Sequence, residues 1–156
     1  MQTIVAYNYG AKEEKRARKT LFIGILYGTI LLTIGFALVK LIPEFFVGIF
    51  TKDETLMKMA IEGININLIT LPIVGISVLG SVYFQSIGES KKSMFLSLLR
   101  QVIILIPVII IIPQIYGLKG VWAAQPISDF LAMFIVGLFL YKEFKKDKVD
   151  TDKISA

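Results

Sequence analysis

Hydrophobic residues in this chain fall into four long runs that charged stretches separate. The runs cover residues 21–42, 63–85, 95–112 and 118–141. A helix needs about 20 apolar residues to cross the ~30 Å hydrocarbon core of a bilayer, and each run has that length or comes within two residues of it. The pattern predicts an all-α, polytopic membrane bundle with four spanning helices. The alternative of a soluble helical bundle would leave too little polar surface for solvation.

The composition supports a membrane protein and excludes most catalytic groups and metal ligands. Hydrophobic residues make up 55% of the 156 residues, against about 45–50% in soluble domains. The chain has no cysteine and no histidine, so it lacks thiolate ligands and the commonest general base. It also shows no nucleophile–base pair, phosphate loop or metal cluster. We therefore expect no enzyme activity, no cofactor and no metal site.

The net charge of +5 indicates orientation in a membrane and no binding of nucleic acid, because the positive residues flank the hydrophobic runs. They cluster before the first run, between the second and third, and after the fourth. This alternation predicts a multi-pass protein of the cell (plasma) membrane with both termini in the cytoplasm. The clusters consist of Lys12, Lys15, Arg16, Arg18 and Lys19, then Lys91 and Lys92, then Lys142, Lys145, Lys146, Lys148 and Lys153.

The sequence also predicts the local structure of three further segments. Residues 44–60 form an amphipathic loop at the membrane surface, with Thr51 or Asp53 as the N-cap of a helix. Residues 145–156 form a polar cytoplasmic tail, which we expect to be disordered. In the first run, Gly24 and Gly28 have the spacing of a helix-packing face.

Asp129 lies near the middle of the fourth run, where insertion of a carboxylate costs roughly 2.5–3.5 kcal/mol. Arg100 lies inside the third run at nearly the same depth, and a short turn at 116–119 makes the two helices antiparallel neighbours. An ion pair is therefore predicted. Three interpretations stay open: a structural pair that locks the two helices, a coupling or gating role in transport, and an Arg100 that snorkels to the interface.

Other polar and irregular positions within the runs are candidates for a transport path. Prolines inside membrane helices kink them and are tolerated where they face protein or a water-filled cavity. The prolines are Pro72, Pro107 and Pro126, and either static packing kinks or moving hinges explain them. The polar residues of the second run either bond to neighbouring helices or line a polar cavity. They are Asn65, Asn67, Ser77, Ser81 and Gln85.

Three strings resemble the multidrug and toxic compound extrusion (MATE) transporters. Residues 6–12 (AYNYGAK) are similar to the cytoplasmic end of the family's eighth helix. Residues 83–90 (YFQSIGES) with 99–101 (LRQ) are similar to its tenth-to-eleventh helix junction, and residues 117–129 (GLKGVWAAQPISD) to the entry of its last helix. The strings occur in the family's order.

The resemblance implies that residues 1–144 form part of the C-lobe, the ninth to twelfth helices of a twelve-helix transporter, and that the chain is a fragment whose missing N-lobe is a partner. It implies alternating-access export of small cationic or amphipathic drugs, driven by an H⁺ or Na⁺ gradient. Some members carry a carboxylate in the tenth helix, which the second run does not match. Two alternatives remain: a flippase of lipid-linked oligosaccharides, and a truncated membrane protein that transports nothing.

Overall fold

The computed structural model describes the backbone of residues 1–154 and the side chains of residues 1–146, and within that part the chain contains helices and no strand. The predicted all-α membrane fold is thus confirmed. A 3₁₀ turn, Leu68–Thr70, joins α4 to α5, and a π-helix, Leu99–Ile104, joins α6 to α7. The helices are α1 (Gln2–Gly10), α2 (Glu14–Leu41), α3 (Pro43–Gly48), α4 (Glu54–Asn67), α5 (Leu71–Ser86), α6 (Ser90–Leu98) and α7 (Leu105–Ile154).

Helix α7 folds back on itself at Gly117, whose φ of 58° and ψ of −138° are not helical. Glycine adopts a positive φ without a Cβ clash, which explains why the bend falls there. The two arms approach closely, since a Cβ on Gly120 would lie 2.7 Å from the carbonyl oxygen of Ile112. Farther from the bend, Lys92 forms a salt bridge with Glu143. The arms before and after Gly117 are therefore antiparallel.

Three helical stretches are long and apolar enough to cross a membrane: Glu14–Leu41, Glu54–Ser86 and Ser90–Lys146. The third contains the bend at Gly117, so it supplies two antiparallel arms. The last three hydrophobic runs lie within these stretches, and the first ends one residue past its helix, at Ile42. The helices otherwise extend past the runs. The second begins at Glu54, nine residues before the run, and the arm before Gly117 continues past residue 112. The membrane boundaries of the four spans stay a prediction.

Helix α5 lies at the centre of the bundle and packs against α2 and α7. Gly24 and Gly28 of α2 face the side chain of Leu79, with a Cβ on Gly28 only 3.3 Å from it. The predicted packing face of α2 is confirmed at these two glycines. At one end of the bundle, Tyr83 and Phe84 are fully buried in the main hydrophobic cluster. Because this cluster holds α5 against both neighbours, it fixes where the polar residues of α5 lie.

The predicted surface loop contains a short helix, α3, and the start of α4. Asp53 is the N-cap of α4: its Oδ1 accepts hydrogen bonds from the backbone N–H of Thr55 at 2.8 Å and of Leu56 at 3.0 Å. The hydroxyl oxygen of Thr51 accepts a hydrogen bond from the N–H of Asp53 at 3.2 Å. Of the two predicted caps, Asp53 is the correct one, and Thr51 supports it. Phe50 is 89% exposed, as a residue in contact with the membrane surface would be.

Loss of this cap should weaken α4 locally. We expect Asp53→Ala to lower the free energy of unfolding by about 1 kcal/mol, because two N–H groups lose their acceptor. Asp53→Asn keeps an acceptor oxygen and should cost much less. Hydrogen exchange at the amides of Thr55 and Leu56, measured by mass spectrometry, checks this. Equal exchange in the two variants would show that the side chain of Asp53 does not cap the helix.

The C-terminal tail differs from its prediction. Helix α7 continues to Ile154, so the expectation of a disordered tail is wrong for residues 145–154. Acidic and basic residues recur there at spacings of three and four in the sequence, which favours a helix. Residues 155 and 156 lie outside the described residues.

Candidate functional site

Asp129 is the centre of a buried polar cluster in the arm after Gly117. The residue is 4% exposed. Its Oδ2 accepts a hydrogen bond from the Thr70 hydroxyl at 3.3 Å, and its Oδ1 accepts one from Gln125 Nε2 at 3.1 Å. Arg100 Nη1 lies 3.7 Å from the same Oδ1. These four residues, with Ser128, are called the Asp129 cluster below.

Irregular backbone brings the members of this cluster together. Thr70 ends the 3₁₀ turn that precedes Pro72. Because proline has no N–H and its ring clashes with the carbonyl four residues earlier, here that of Leu68, it disfavours regular α-helical geometry in this turn. Arg100 lies in the π-helix, where its carbonyl accepts from Leu105, five residues on. The hydroxyl of Ser128 donates a 2.7 Å hydrogen bond to the same carbonyl, which ties the two arms together.

The predicted prolines take two kinds of position. Pro72 lies in the first turn of α5, directly after the 3₁₀ turn, and Pro107 lies in the first turn of α7, directly after the π-helix. Pro126 lies inside α7 beside the Asp129 cluster. Pro113 also lies inside α7. It is not among the predicted prolines because the predicted third span ends at residue 112. Two of the three predicted prolines therefore accompany irregular turns rather than bends within a continuous α-helix.

A cavity of about 280 Å³ lies between α5 and the stretch from α6 into the π-helix, and its lining mixes polar and apolar side chains. Ser77, Ser81 and Gln85 line it from α5, and Arg100 borders it from the opposite wall. We call it the serine cavity. Three of the predicted cavity residues therefore do meet at one cavity.

The two predicted asparagines lie elsewhere. Asn67 borders a separate and larger apolar pocket of about 500 Å³ beside Trp122. Asn65 borders neither of these two cavities. The structure thus separates the asparagines of α4 from the serines of α5.

The serines of α5 that line the cavity bond within their own helix. The Ser77 hydroxyl donates to the carbonyl of Val74 at 3.0 Å, and the Ser81 hydroxyl to that of Ser77 at 2.9 Å. In the described part of the chain, these two hydroxyls therefore donate within α5 and not to a neighbouring helix. Such bonds within one helix form because the preceding turn is the nearest acceptor. Thr70 and Ser128 instead supply hydroxyl hydrogen bonds between distant segments.

A second charge pair, of a half-buried lysine and a buried glutamate, lies at the end of the two arms far from Gly117. Lys92 Nζ lies 2.8 Å from Glu143 and 3.2 Å from Glu89. The Glu143 side chain is 7% exposed, and the Lys92 ammonium lies 5.7 Å from the centre of the Phe84 ring. In the sequence, Lys92 and the residues around Glu143 indicated only membrane orientation. Glu143, an isolated acidic residue within a basic stretch, was the one feature of the sequence that could have indicated this ion pair.

The chemistry of the Asp129 cluster follows from its two charged groups. They are one carboxylate and one guanidinium. Among the described residues, no three His, Cys, Asp or Glu side chains come together to hold a metal ion. A cluster of this kind suits proton or ion movement and recognition of charged solutes.

Comparisons with known proteins agree with this arrangement. The MatE family model matches residues 1–111. The multidrug export protein MepA of Staphylococcus aureus (strain bovine RF122 / ET3-1) is 25% identical over 151 residues, which cover 97% of this chain and 33% of that protein. The MepA of Staphylococcus saprophyticus is 25% identical over 154 residues, covering 96% and 32%. The chain spans about a third of the length of the curated relatives it matches.

A solved structure shares the fold. The MATE multidrug transporter DinF-BH, whose structure was determined with a bound ligand, superposes with a TM-score of 0.84 at 39% sequence identity. The match covers 91% of this chain and 32% of that one. The described helices therefore have the arrangement of a segment of a solved membrane transporter.

Proposed function

Since this chain belongs to the MatE family of membrane transporters, we propose that it forms part of a multidrug exporter in the cell membrane. Its relatives from Staphylococcus are multidrug export proteins. In the proposed mechanism, helices with irregular turns rock between inward- and outward-open states, and a gradient of H⁺ or Na⁺ drives antiport of a cationic, amphipathic drug. Both termini lie in the cytoplasm.

One observation carries the proposal: a carboxylate in the middle of the fourth hydrophobic run is buried within three polar contacts. A buried charge in a membrane segment is costly and marks functional paths. The 3₁₀ turn, the π-helix and Pro126 all adjoin Asp129. A change in the charge or partners of Asp129 therefore acts directly on the parts of the backbone that are least regular. This is the relation that coupling between an ion and a helix movement requires.

Export of cations is favoured over flipping of lipid-linked oligosaccharides. A flippase for an anionic pyrophosphate needs a surplus of positive charge along its path. Here the intramembrane cation, Arg100, lies beside the carboxylate of Asp129, so the Asp129 cluster carries no net charge when both groups are ionised.

The test compares Asp129→Asn with Asp53→Asn, which makes the same chemical change at the exposed N-cap of α4. Cells that carry the gene containing this chain should accumulate less ethidium than cells that lack it. Asp129→Asn should abolish the ion-driven part of this export, and Asp53→Asn should leave it intact. A protonophore and removal of sodium, applied separately, identify the coupling ion.

Unchanged export by Asp129→Asn, with normal amounts of protein in the membrane, would remove the coupling role and leave the ion pair as a structural lock. Equal ethidium accumulation with and without the gene would refute export altogether.

A further inference from the structure

The Thr70 hydroxyl bonds away from its own segment, whereas other hydroxyls of the bundle bond within their helices. Thr33 of α2 and Ser81 of α5 each donate to the carbonyl four residues earlier, at 2.7 and 2.9 Å. This is a common bond for a hydroxyl inside a helix. Thr70 donates instead to Asp129 Oδ2 at 3.3 Å. The equivalent carbonyl for Thr70 is that of Ile66, so Asp129 takes the hydrogen bond that the Ile66 carbonyl would receive.

The two carboxylate oxygens of Asp129 have partners of different chemistry. Oδ1 accepts a hydrogen bond from Gln125 Nε2 at 3.1 Å and lies 3.7 Å from Arg100 Nη1. Both of these nitrogen groups only donate, so a proton on Oδ1 would face other protons. The partner of Oδ2 is the Thr70 hydroxyl, and a hydroxyl both donates and accepts. A proton that Asp129 takes up therefore belongs on Oδ2.

The charges around Asp129 favour a proton over a sodium ion. Among the described residues, Arg100 is the one charged group that faces Asp129, since Thr70 and Gln125 are neutral. A sodium ion at this carboxylate would lie next to the guanidinium, which repels it. Hard cations also take several oxygen ligands, whereas a proton needs one. When Asp129 is neutral, Arg100 still borders the serine cavity, whose hydroxyls and amides accept hydrogen bonds.

We propose that Asp129 binds the coupling proton on Oδ2, and that Thr70 is the positioning residue that passes this event to the turn between α4 and α5. This role of Thr70 rests on the proposed coupling function of Asp129. In the ionised state, the Thr70 hydroxyl donates to Oδ2, as in this structure. In the neutral state, the new O–H of Asp129 donates to the Thr70 oxygen, and the hydroxyl hydrogen of Thr70 turns to the Ile66 carbonyl.

The turn that contains Thr70 is suited to respond to such a change. It is a 3₁₀ turn from Leu68 to Thr70, and Pro72 follows in the first turn of α5. Proline interrupts the regular bonding of an α-helix, so the backbone resists bending less there. A hydroxyl that donates to the preceding helical turn often bends the helix. A change of acceptor at Thr70 therefore changes the angle between α4 and α5.

The sequence provides a direct probe of the Ile66 carbonyl. Ile64 and Ile66 each precede an asparagine, and no other isoleucine in the chain does. Solid-state NMR of the full chain in lipid vesicles, with ¹³C in isoleucine carbonyls and ¹⁵N in asparagine, therefore gives two signals. Asn65→Gln removes the signal of Ile64 and so assigns both. A second sample with ¹³C-labelled aspartate shows the protonation of Asp129, whose signal is the one that Asp129→Asn lacks.

Acidification should move the signal of Ile66 while Asp129 takes up its proton, and the signal of Ile64 should stay in place. Thr70→Val removes the hydroxyl, keeps the branched shape and should abolish this movement, whereas Thr70→Ser should retain it. Thr33→Val is the matched control, because that hydroxyl already donates within α2, and it should change nothing. If Thr70→Val does not fold, the unaltered chain decides. A fixed Ile66 signal during protonation of Asp129 overturns the proposal.

Transport separates the positioning role from a loss of structure. Export that a pH gradient drives requires the proton to act on the helices, whereas exchange of labelled for unlabelled ethidium does not. Both are measured in vesicles from cells that carry the gene containing this chain. Thr70→Val should lower gradient-driven export at least about tenfold, because hydrogen bonds to charged groups contribute that much or more, and it should keep exchange. Thr70→Ser should restore driven export. Equal loss of both activities in Thr70→Val would show a structural role and overturn the proposal.

These results distinguish the role of Thr70 from the coupling role of Asp129. If Asp129→Asn loses driven export and Thr70→Val keeps it, Asp129 remains the coupling residue and the role of Thr70 is refuted. Export that a sodium gradient drives without a pH gradient refutes the proton and leaves Asp129 as a coupling site for sodium. Unchanged driven export by Asp129→Asn removes the coupling function itself, and the role of Thr70 with it.

Discussion

Arg100→Gln is expected to lower the free energy of unfolding by about 3–5 kcal/mol, because removal of one partner from a buried pair leaves the other charge poorly solvated. The remaining charge is the carboxylate of Asp129, which is 4% exposed. Arg100 is its only nearby cation among the described residues. Unfolding by titration with sodium dodecyl sulfate in mixed micelles, followed by fluorescence of the single tryptophan, Trp122, measures the loss.

A double-mutant cycle separates the two roles of the pair. Asp129→Asn combined with Arg100→Gln removes both charges and should lose less stability than the sum of the single variants, since neither charge is then left unpaired. A structural lock predicts that ethidium export returns together with stability in the double variant. A coupling role predicts that stability returns and export does not. Strict additivity of the two single effects would show that the two charges do not interact.

Gly80→Val should have the second largest effect, a loss of up to about 3 kcal/mol from overpacking. Gly80 lies where α5 packs tightly against the arm after Gly117. A Cβ there would collide with the side chain of Val136 and come within 3.2 Å of Leu140. Both neighbours are buried in the main hydrophobic cluster, so they have little room to move. The same mixed-micelle unfolding experiment measures this loss.

Gly137→Val is the matched control, because it makes the same change next to Val136 at a position where a Cβ meets nothing within 4 Å. It should be nearly neutral. Gly80→Ala alone should also lose stability, because its methyl group meets Val136. Adding Val136→Ala should recover part of that loss, since it makes room for the methyl group. Equal losses in Gly80→Val and Gly137→Val would mean that helix propensity, rather than packing, governs the cost.

Much of the fold follows from the periodicity and length of the hydrophobic runs. Four runs of about 20 residues determine four helical segments, because backbone polar groups must be satisfied internally in a bilayer. A short glycine-containing turn determines that the last two segments are antiparallel. From these two facts, the depths of Arg100 and Asp129 already place them near one another. The structure brings them to 3.7 Å.

The partners of Asp129 depend on packing that the sequence does not encode locally. Thr70 lies 59 residues from Asp129 along the chain, and its contact depends on how α4, α5 and α7 rotate about their axes. Gln125 was within reach of a sequence argument, since it lies one helical turn before Asp129. The π-helix at Arg100 has no comparable sequence signal.

The amino-acid sequence by itself determined that this is an all-α membrane protein of four hydrophobic segments, with a carboxylate and a guanidinium at matching depth and three strings similar to the MATE transporters. The length of hydrophobic runs, the asymmetry of charge and local motifs are properties of consecutive residues, so they can be recognised from the sequence alone. Only the tertiary structure decided that Thr70 donates to Asp129, that Lys92 pairs with Glu143, and that one cavity gathers Ser77, Ser93 and Arg100. These contacts depend on helix rotation and on irregular turns, which are set by side-chain packing between segments far apart in the chain.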